Sequence, residues 1–456
     1  MGRRAAFHNL GCRVNSYETE AMKEQLKTGG YEIVPFEPGA DVYVINTCTV
    51  TNIADRKSRQ MLHRAREMNP EAVVVAAGCY AEKETGGRKK DPVIDLVVGN
   101  REKSKLLQLL EDYFENRTAV SCRESVRTAK AYEELTVSGA EERTRAFIKI
   151  QDGCNQFCSY CMIPYVRGRV RSRKADAVIA EAERLAAAGF REIVLTGIHI
   201  SSYGLDFTFP GENRQTPDAS EEETNVILLD LLRRIAELPA VRRIRMGSLE
   251  PGIMTEEFVR GMASVSKICP QFHLSLQSGC DETLERMKRK YRTADYRRIC
   301  ERIRRCYDHP AITTDVIAGF PGETDGEFRK SADFVREMQF AKMHVFKYSK
   351  RDGTKAAVMP GQVPEEIKKE RSRLLMEIDR DAHKAYASFY VGKPVEVLFE
   401  EAKQIRGTRC MSGHTEVFLE AHAADEIPSG AIVKCMAEAV CPDGSLSVKT
   451  VENEKH

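Results

Sequence analysis

Phe147-Ile-Lys-Ile-Gln151-Asp-Gly-Cys154-Asn-Gln-Phe-Cys158-Ser-Tyr-Cys161 is a strand-sized apolar run that opens directly into three cysteines. The alternation at 147–151 predicts a strand, and Asp152-Gly153 ends it. The same unit, a short apolar run followed by a helical period, returns at 192–196, 243–247, 272–276, 312–318 and 342–346. Between the first two lies a helix over 176–188, where Val178, Ala182, Leu185 and Ala186 share a face. Six strand–helix units fall short of the eight that close a barrel, so a partial (β/α)6 barrel is the expectation. Its cysteine loop then follows the first strand, at the end of the barrel where active sites are built.

The first 115 residues also alternate strand and helix. Strand runs fall at 5–10, 41–46, 72–77 and 94–98, and helical periods at 16–27, from 46 to Met68, and 101–114. This spacing predicts a doubly wound parallel sheet. Residues 116–142 lack a steady period and read as a linker between domain 1–115 and a core at 143–388. Within that core, 204–225 is a polar insertion and 365–387 a long closing helix. The segment 389–452 has short alternating runs at 395–399, 417–421 and 432–436, broken by Gly and Pro, which predicts a small all-β barrel. The fold class is therefore α/β, with three folded parts in a chain of 456 residues.

Composition narrows the setting. The chain is 42% hydrophobic and 30% charged, as ordinary folded domains are. No apolar run approaches the ~18 residues of a membrane span, and the N-terminus lacks the apolar block of a secretory signal. A cytoplasmic location with no membrane contact is expected. In a reducing compartment the 14 cysteines read as metal ligands or redox groups rather than disulfides. Net charge is only +2, yet residues 286–305 hold ten Lys/Arg against two acids, and residues 167–174 hold five against none. Those patches are the places for a polyanion. In the second, Arg167, Arg169, Arg171 and Arg173 alternate, so an extended segment would put them on one side to follow phosphates or simply to be solvated. The final segment is net acidic, with Lys403, Arg406 and Arg409 as its local basic candidates.

Three thiolates within eight residues can wrap one corner of a cubane cluster and leave its fourth iron open. A structural zinc site would want a fourth nearby Cys or His, and none follows within the next thirty residues. Cys12, Cys48 and Cys79 have no spacing motif, but each falls just after an expected strand and before a helix. In a parallel sheet such positions share one edge, where ligands collect. On placement alone they are a second cluster site or three inert buried thiols. Gln277 and Asp315 end expected strands on the side of the cysteine loop and are candidates to touch a cofactor there.

Cys154-Asn-Gln-Phe-Cys158-Ser-Tyr-Cys161 followed by Ile163-Pro-Tyr-Val-Arg-Gly-Arg-Val-Arg-Ser-Arg173 resembles the cluster motif of the radical S-adenosylmethionine methylthiotransferases. So do Asn9-Leu-Gly-Cys12, Asn46-Thr-Cys48-Thr-Val-Thr51, Ala77-Gly-Cys79-Tyr80, His273-Leu-Ser-Leu-Gln-Ser-Gly279 and Asp315-Val-Ile-Ala-Gly-Phe-Pro-Gly-Glu-Thr324. The resemblance implies two 4Fe-4S clusters. One, on Cys154, Cys158 and Cys161, binds S-adenosylmethionine, with Gln277 and Asp315 as its candidate contacts, and cleaves it reductively to a 5′-deoxyadenosyl radical. The other, on Cys12, Cys48 and Cys79, carries the sulfur. An electron donor such as a flavodoxin or ferredoxin, and a sulfur donor, are implied partners, and the last domain resembles the tRNA-gripping barrel called TRAM.

Gly11-Cys12-Arg-Val-Asn15-Ser-Tyr-Glu18, Val50-Thr-Asn-Ile-Ala-Asp55-Arg-Lys-Ser-Arg59 and residues 167–173 are similar to the group that methylthiolates C2 of N6-threonylcarbamoyladenosine in tRNA. Isopentenyladenosine tRNA, a ribosomal-protein aspartate, and a non-catalytic iron–sulfur carrier or sensor are the alternatives. An arginine of the run 167–173 reaching the threonylcarbamoyl carboxylate is a further expectation.

Overall fold

The computed structural model describes residues 2–84, 91–116, 121–122, 126, 131–139, 144–207, 221–405 and 407–451. Its first part is a parallel sheet of β1 (Arg4–Asn9), β2 (Glu32–Val34), β3 (Val42–Thr47), β4 (Val73–Gly78), β5 (Leu96–Val98) and β6 (Ser121–Cys122), ordered β2-β1-β3-β4-β5-β6. Every residue of β3 and β4 is buried, because helices cover both faces of the sheet. On one face α1 (Arg13–Thr28) and α4 (Leu106–Asn116) bring Met22, Leu26, Leu106 and Leu110 onto Val42, Val44, Val73 and Val75. On the other, α2 (Asn52–Met68) and α3 (Cys79–Glu84) bring Leu62, Ala65, Tyr80 and Ala81 onto Tyr43, Ile45, Val74 and Ala76. The doubly wound sheet is as expected, with two short edge strands, β2 and β6, added. β6 lies inside the stretch read as linker, and farther on Leu135 and Val137 pack against Tyr17 and Ala21 of α1.

The core contains β7 (Arg145–Asp152), α5 (Ile163–Val166), β8 (Arg171–Ser172), α6 (Ala175–Ala187), β9 (Glu192–Gly197), α7 (Glu221–Glu237), β10 (Arg243–Met246), α8 (Glu256–Ala263) and β11 (Gln271–His273). It continues through α9 (Asp281–Arg286), α10 (Thr293–Cys306), β12 (Ala311–Ala318), α11 (Asp325–Met338) and β13 (Lys342–Lys347). The sheets β10-β9-β7-β8 and β11-β12-β13 meet through parallel bridges Ile244–Ile268 and Leu249–Leu274. The six expected strands are thus present in the order β7-β9-β10-β11-β12-β13, an open partial barrel with its main hydrophobic core under the helices. β8, an antiparallel pair to the end of β7, is an addition. The part of the 204–225 insertion at 208–220 lies outside the described residues.

α12 (Glu365–Ser388) leaves the core, accepts the Met343 amide on Asp379, and delivers Tyr386 and Ala387 into the last domain's core. That domain is a closed barrel of β14 (Pro394–Ile405), β15 (Thr408–Thr415), β16 (Glu420–Ala423), β17 (Ile432–Val440) and β18 (Leu446–Thr450). Two buried arginines of β10 seat it. Arg243 donates to Glu396 O (2.7 Å), and Arg245, paired with Glu192 (2.9 Å), donates to Glu416 O (3.1 Å). No helix of the described residues is long and apolar enough to cross a membrane.

Candidate metal centres at the domain seam

Cys12 caps α1 after β1, Cys48 sits in the turn after β3, and Cys79 begins α3 after β4. Because β1, β3 and β4 are neighbours in parallel register (Asn9 beside Asn46, Thr47 beside Gly78), their ends bring the three cysteines to one sheet edge. Gly11 makes the approach possible. Its φ is +108°, and a Cβ there would lie 2.9 Å from Cys48 Cβ and 3.1 Å from Cys48 Sγ. Asn15 Nδ2 ties the turns together by donating to Leu10 O (2.7 Å) and Thr47 O (2.9 Å). Burial, then the charges of Cys79 and Cys12, push the Cys48 thiol up to about 12, so the three sulfurs feel one another.

The second triad hangs on the loop after β7. Gly153 (φ +73°) passes so close to the next segment that a Cβ would sit 1.8 Å from Arg169 O. Phe157 (φ +49°) turns the loop in the left-handed region, and Cys161 N closes it onto Cys158 O (3.0 Å). Burial and Cys158 push the Cys154 and Cys161 thiols up to about 12. Arg289 donates to Cys158 Sγ (3.2 Å) and to Glu250 (2.6 Å), a fixed positive charge that would favour the thiolate form at Cys158. In each triad three free cysteines are the donor set that a 4Fe-4S cluster with one open iron would use.

The triads share a seam. Cys79 packs on Met162 and Val166, which directly follow the second triad, and Asn100 Nδ2 donates to Val166 O (2.8 Å). Arg167 crosses the seam fully buried. Its guanidinium donates to Cys79 Sγ (3.4 Å), Asn15 Oδ1 (2.7 Å), Glu18 Oε1 (2.7 Å) and Asp152 Oδ2 (3.1 Å). Lys149 bridges Glu18 and Asp152 at 2.7 Å each, and Lys103 also pairs with Glu18. A second tie runs from Arg351 to Asp55 and Thr49, both at 2.7 Å.

These contacts correct the arginine expectations. Arg167, Arg171 and Arg173 are buried, with only Arg169 of the run exposed. Arg171 donates to Arg167 O and Arg169 O, and Arg173 pairs with Glu181 and Glu134. Three of the four arginines are internal scaffold and cannot form a phosphate track, which leaves Arg169, over the Phe157 ring of the cysteine loop, as the one arginine of the run facing solvent. In residues 286–305, Tyr291 and Tyr296 are buried, Arg286 pairs with Glu327, Arg297 with Glu337, and Arg302 and Arg305 with Glu256. Lys403 pairs with Glu420 and Glu401, Arg409 is exposed, and Arg406 lies outside the described residues.

Gln277 holds φ +68° and donates its amide to Asp315 O (2.8 Å), while the Asp315 carboxylate lies between His273 and His344. The exposed face of α2 was missed. Arg56, Lys57 and Arg59 stand there without an ion-pair partner among the described residues, next to exposed Val50 and Ile53. The buried spacing Asp55, Ser58, Leu62, Ala65 was the signal that points them outward.

Comparison with known proteins agrees with this division. Residues 4–99 match the uncharacterized protein family UPF0004, and residues 148–335 match the radical SAM superfamily. The chain is 41% identical to the threonylcarbamoyladenosine tRNA methylthiotransferase MtaB of Bacillus subtilis, over 91% of this chain and 89% of the relative. It is 39% identical to the protein of that name from Aquifex aeolicus, over 88% and 94%. A tRNA-2-methylthio-N(6)-dimethylallyladenosine synthase of Maricaulis maris is 34% identical, over 89% and 88%. Among solved structures, the radical S-adenosylmethionine methyltransferase TsrM of Kitasatospora setae superposes with a TM-score of 0.54 at 16% identity, covering 78% of this chain and 74% of that one.

Proposed function

The chain belongs to the radical S-adenosylmethionine methylthiotransferases, and from that premise we propose that it places a methylthio group on C2 of N6-threonylcarbamoyladenosine beside the anticodon of tRNA. The observation that carries this reading is the seam, where Cys79 of the first triad packs on Met162 and Val166 of the second triad's loop. Removing an unactivated aromatic C–H needs a cofactor radical, and inserting sulfur needs a held sulfur atom. One cysteine triad meets only the first need.

Cys154, Cys158 and Cys161 would hold the cluster that binds S-adenosylmethionine, and Cys12, Cys48 and Cys79 the sulfur-bearing one. When bound, these groups supply radical generation and sulfur for transfer. The chain's own residues hold the two sites at fixed separation. Arg167 locks both sides of the seam to Glu18 and Asp152, and Arg289 balances charge at Cys158. Buried apolar walls at Met162 and Val166 exclude water between them.

The choice of threonylcarbamoyladenosine is supported by the names of the relatives with 41% and 39% identity. Arg56, Lys57 and Arg59, on the helix that starts four residues after Cys48, give the tRNA backbone its footing. In the last barrel, the other expected footing, Lys403 is paired with Glu420 and Arg409 stands exposed. Reductive cleavage calls for an electron donor of the flavodoxin or ferredoxin kind, and turnover consumes sulfur that a donor must replace.

The test is nucleoside mass spectrometry after anaerobic reaction with tRNAs carrying either modification. The methylthio derivative of threonylcarbamoyladenosine should form alone. Product on isopentenyladenosine tRNA, or on ribosomal protein, would move the substrate assignment to those groups.

A further inference from the structure

We propose that His273, Asp315 and His344 form a binding site for a divalent transition-metal ion of the zinc class on the inner face of the barrel. None of its ligands belongs to either cysteine triad, and the site reassigns Asp315 from a candidate contact of S-adenosylmethionine to a metal ligand. The three residues are far apart in sequence and show no spacing motif, but β11, β12 and β13 are parallel neighbours. The register sets His273 beside Thr313, and Asp315 beside His344. Along β12 the buried Thr314, Val316 and Ala318 point to the helix side, where Thr314 meets the Tyr296 hydroxyl. Thr313 and Asp315 therefore project to the opposite, open side.

One donor atom from each residue lies within 4.8 Å of the other two. His273 Nε2 is 3.4 Å from Asp315 Oδ2, and His344 Nδ1 is 3.4 Å from Asp315 Oδ1. Those separations exceed the ~2.7–3.2 Å of good N–H···O bonds. Each is close to the roughly 3.3 Å edge of a tetrahedron of 2.0–2.1 Å metal bonds, but each runs to a different carboxylate oxygen, so an ion would sit between the two oxygens or draw one imidazole over on binding. Thr313 Oγ1 lies 3.0 Å from His273 Nδ1. A hydrogen bond there orients the ring and leaves Nε2 for an ion, as outer-shell partners of metal-bound histidines do. The His344 side chain is 55% exposed, which gives an ion an entry path and leaves coordination positions open. Two imidazoles and a carboxylate suit zinc and its divalent neighbours, whereas the thiols of this chain suit iron–sulfur clusters.

The experiment uses the enzyme with both clusters assembled, washed with a chelator and dialysed against micromolar zinc sulfate. Metal content should show about one zinc per chain, and the zinc X-ray absorption edge should show nitrogen and oxygen neighbours only. H344Q and H273Q should each weaken zinc retention at least tenfold while iron and sulfide stay unchanged. If H273Q also loses iron, the exposed position tested by H344Q decides. Zinc absent from the wild type, zinc retained by H344Q, or sulfur in the zinc shell would overturn the proposal.

Discussion

At the scale of single residues, Arg167 shows how far a sequence can be read. Its alternation with Arg169, Arg171 and Arg173 was legible, but only Arg171–Ser172 is strand, since Arg167 ends α5 in helical conformation and Gly168 turns at φ +77°. The side of the segment that faces inward was not legible, because Glu18 and Asn15, which decide it, belong to another domain about 150 residues away. A planar fork serving four acceptors in a buried site is not replaceable by lysine. Arg167→Ala leaves Asn15 Oδ1 only the Cys12 thiol at 3.9 Å and Cys79 Sγ only Asn100 Nδ2 at 3.7 Å, and removes a positive charge from Glu18 and Asp152. It should cost about 3–5 kcal/mol of stability, the usual result of breaking a buried pair from one side. Circular dichroism during urea unfolding is the check, and substrate preference should not change in whatever folded enzyme remains. The cysteines were readable by contrast, since a strand end names its sheet edge without tertiary knowledge.

At the scale of elements, long apolar strands were legible and very short ones were not. β3 and β4 are buried on both faces, so their sequences are continuous apolar runs. β2, β6 and β8 have three, two and two residues, too few to show a period, and exist because neighbours offer hydrogen bonds. The turns carry the chemistry, and two glycines separate the triads experimentally. Gly11→Ala puts a Cβ against Cys48, and Gly153→Ala puts one into Arg169 O, each at a positive φ that disfavours side chains. Each change should leave about half of the roughly eight irons of the reconstituted protein. Gly11→Ala should spare S-adenosylmethionine cleavage and Gly153→Ala should abolish it, as iron analysis and a cleavage assay will show. Loss of all iron from Gly11→Ala would mean the two sites do not fill independently.

At the scale of the whole molecule, three parts are joined by buried ion pairs, and this was invisible from the sequence because the partners are remote. Arg245, held in place by Glu192, pins the last barrel to the core by donating to Thr415 O and Glu416 O. Burial pushes the Glu192 carboxyl up, but Arg245, with help from Arg145 and Arg243, outweighs it and holds the carboxyl below the usual range. A carboxyl depressed in the folded state contributes stability above its unfolded value of about 4.3, and loses it as pH falls through the lower folded value. The barrel should therefore loosen from the core below about pH 4, seen as faster hydrogen exchange across β14 and β15. Glu192→Gln should remove that part of the acid dependence. The same pins imply that deleting residues 389–456 would expose Arg243 and Arg245, so truncation would weaken the core as well as any tRNA grip.

The account rests on a division of labour across the seam, with the radical made at Cys154, Cys158 and Cys161 and the sulfur delivered from Cys12, Cys48 and Cys79. The direct measurement is one anaerobic reaction of Cys12→Ala with tRNA, in which 5′-deoxyadenosine and methylthiolated nucleoside are quantified together. The account predicts 5′-deoxyadenosine within about twofold of wild type and no methylthiolated nucleoside. Product formed by Cys12→Ala at the wild-type rate would contradict it.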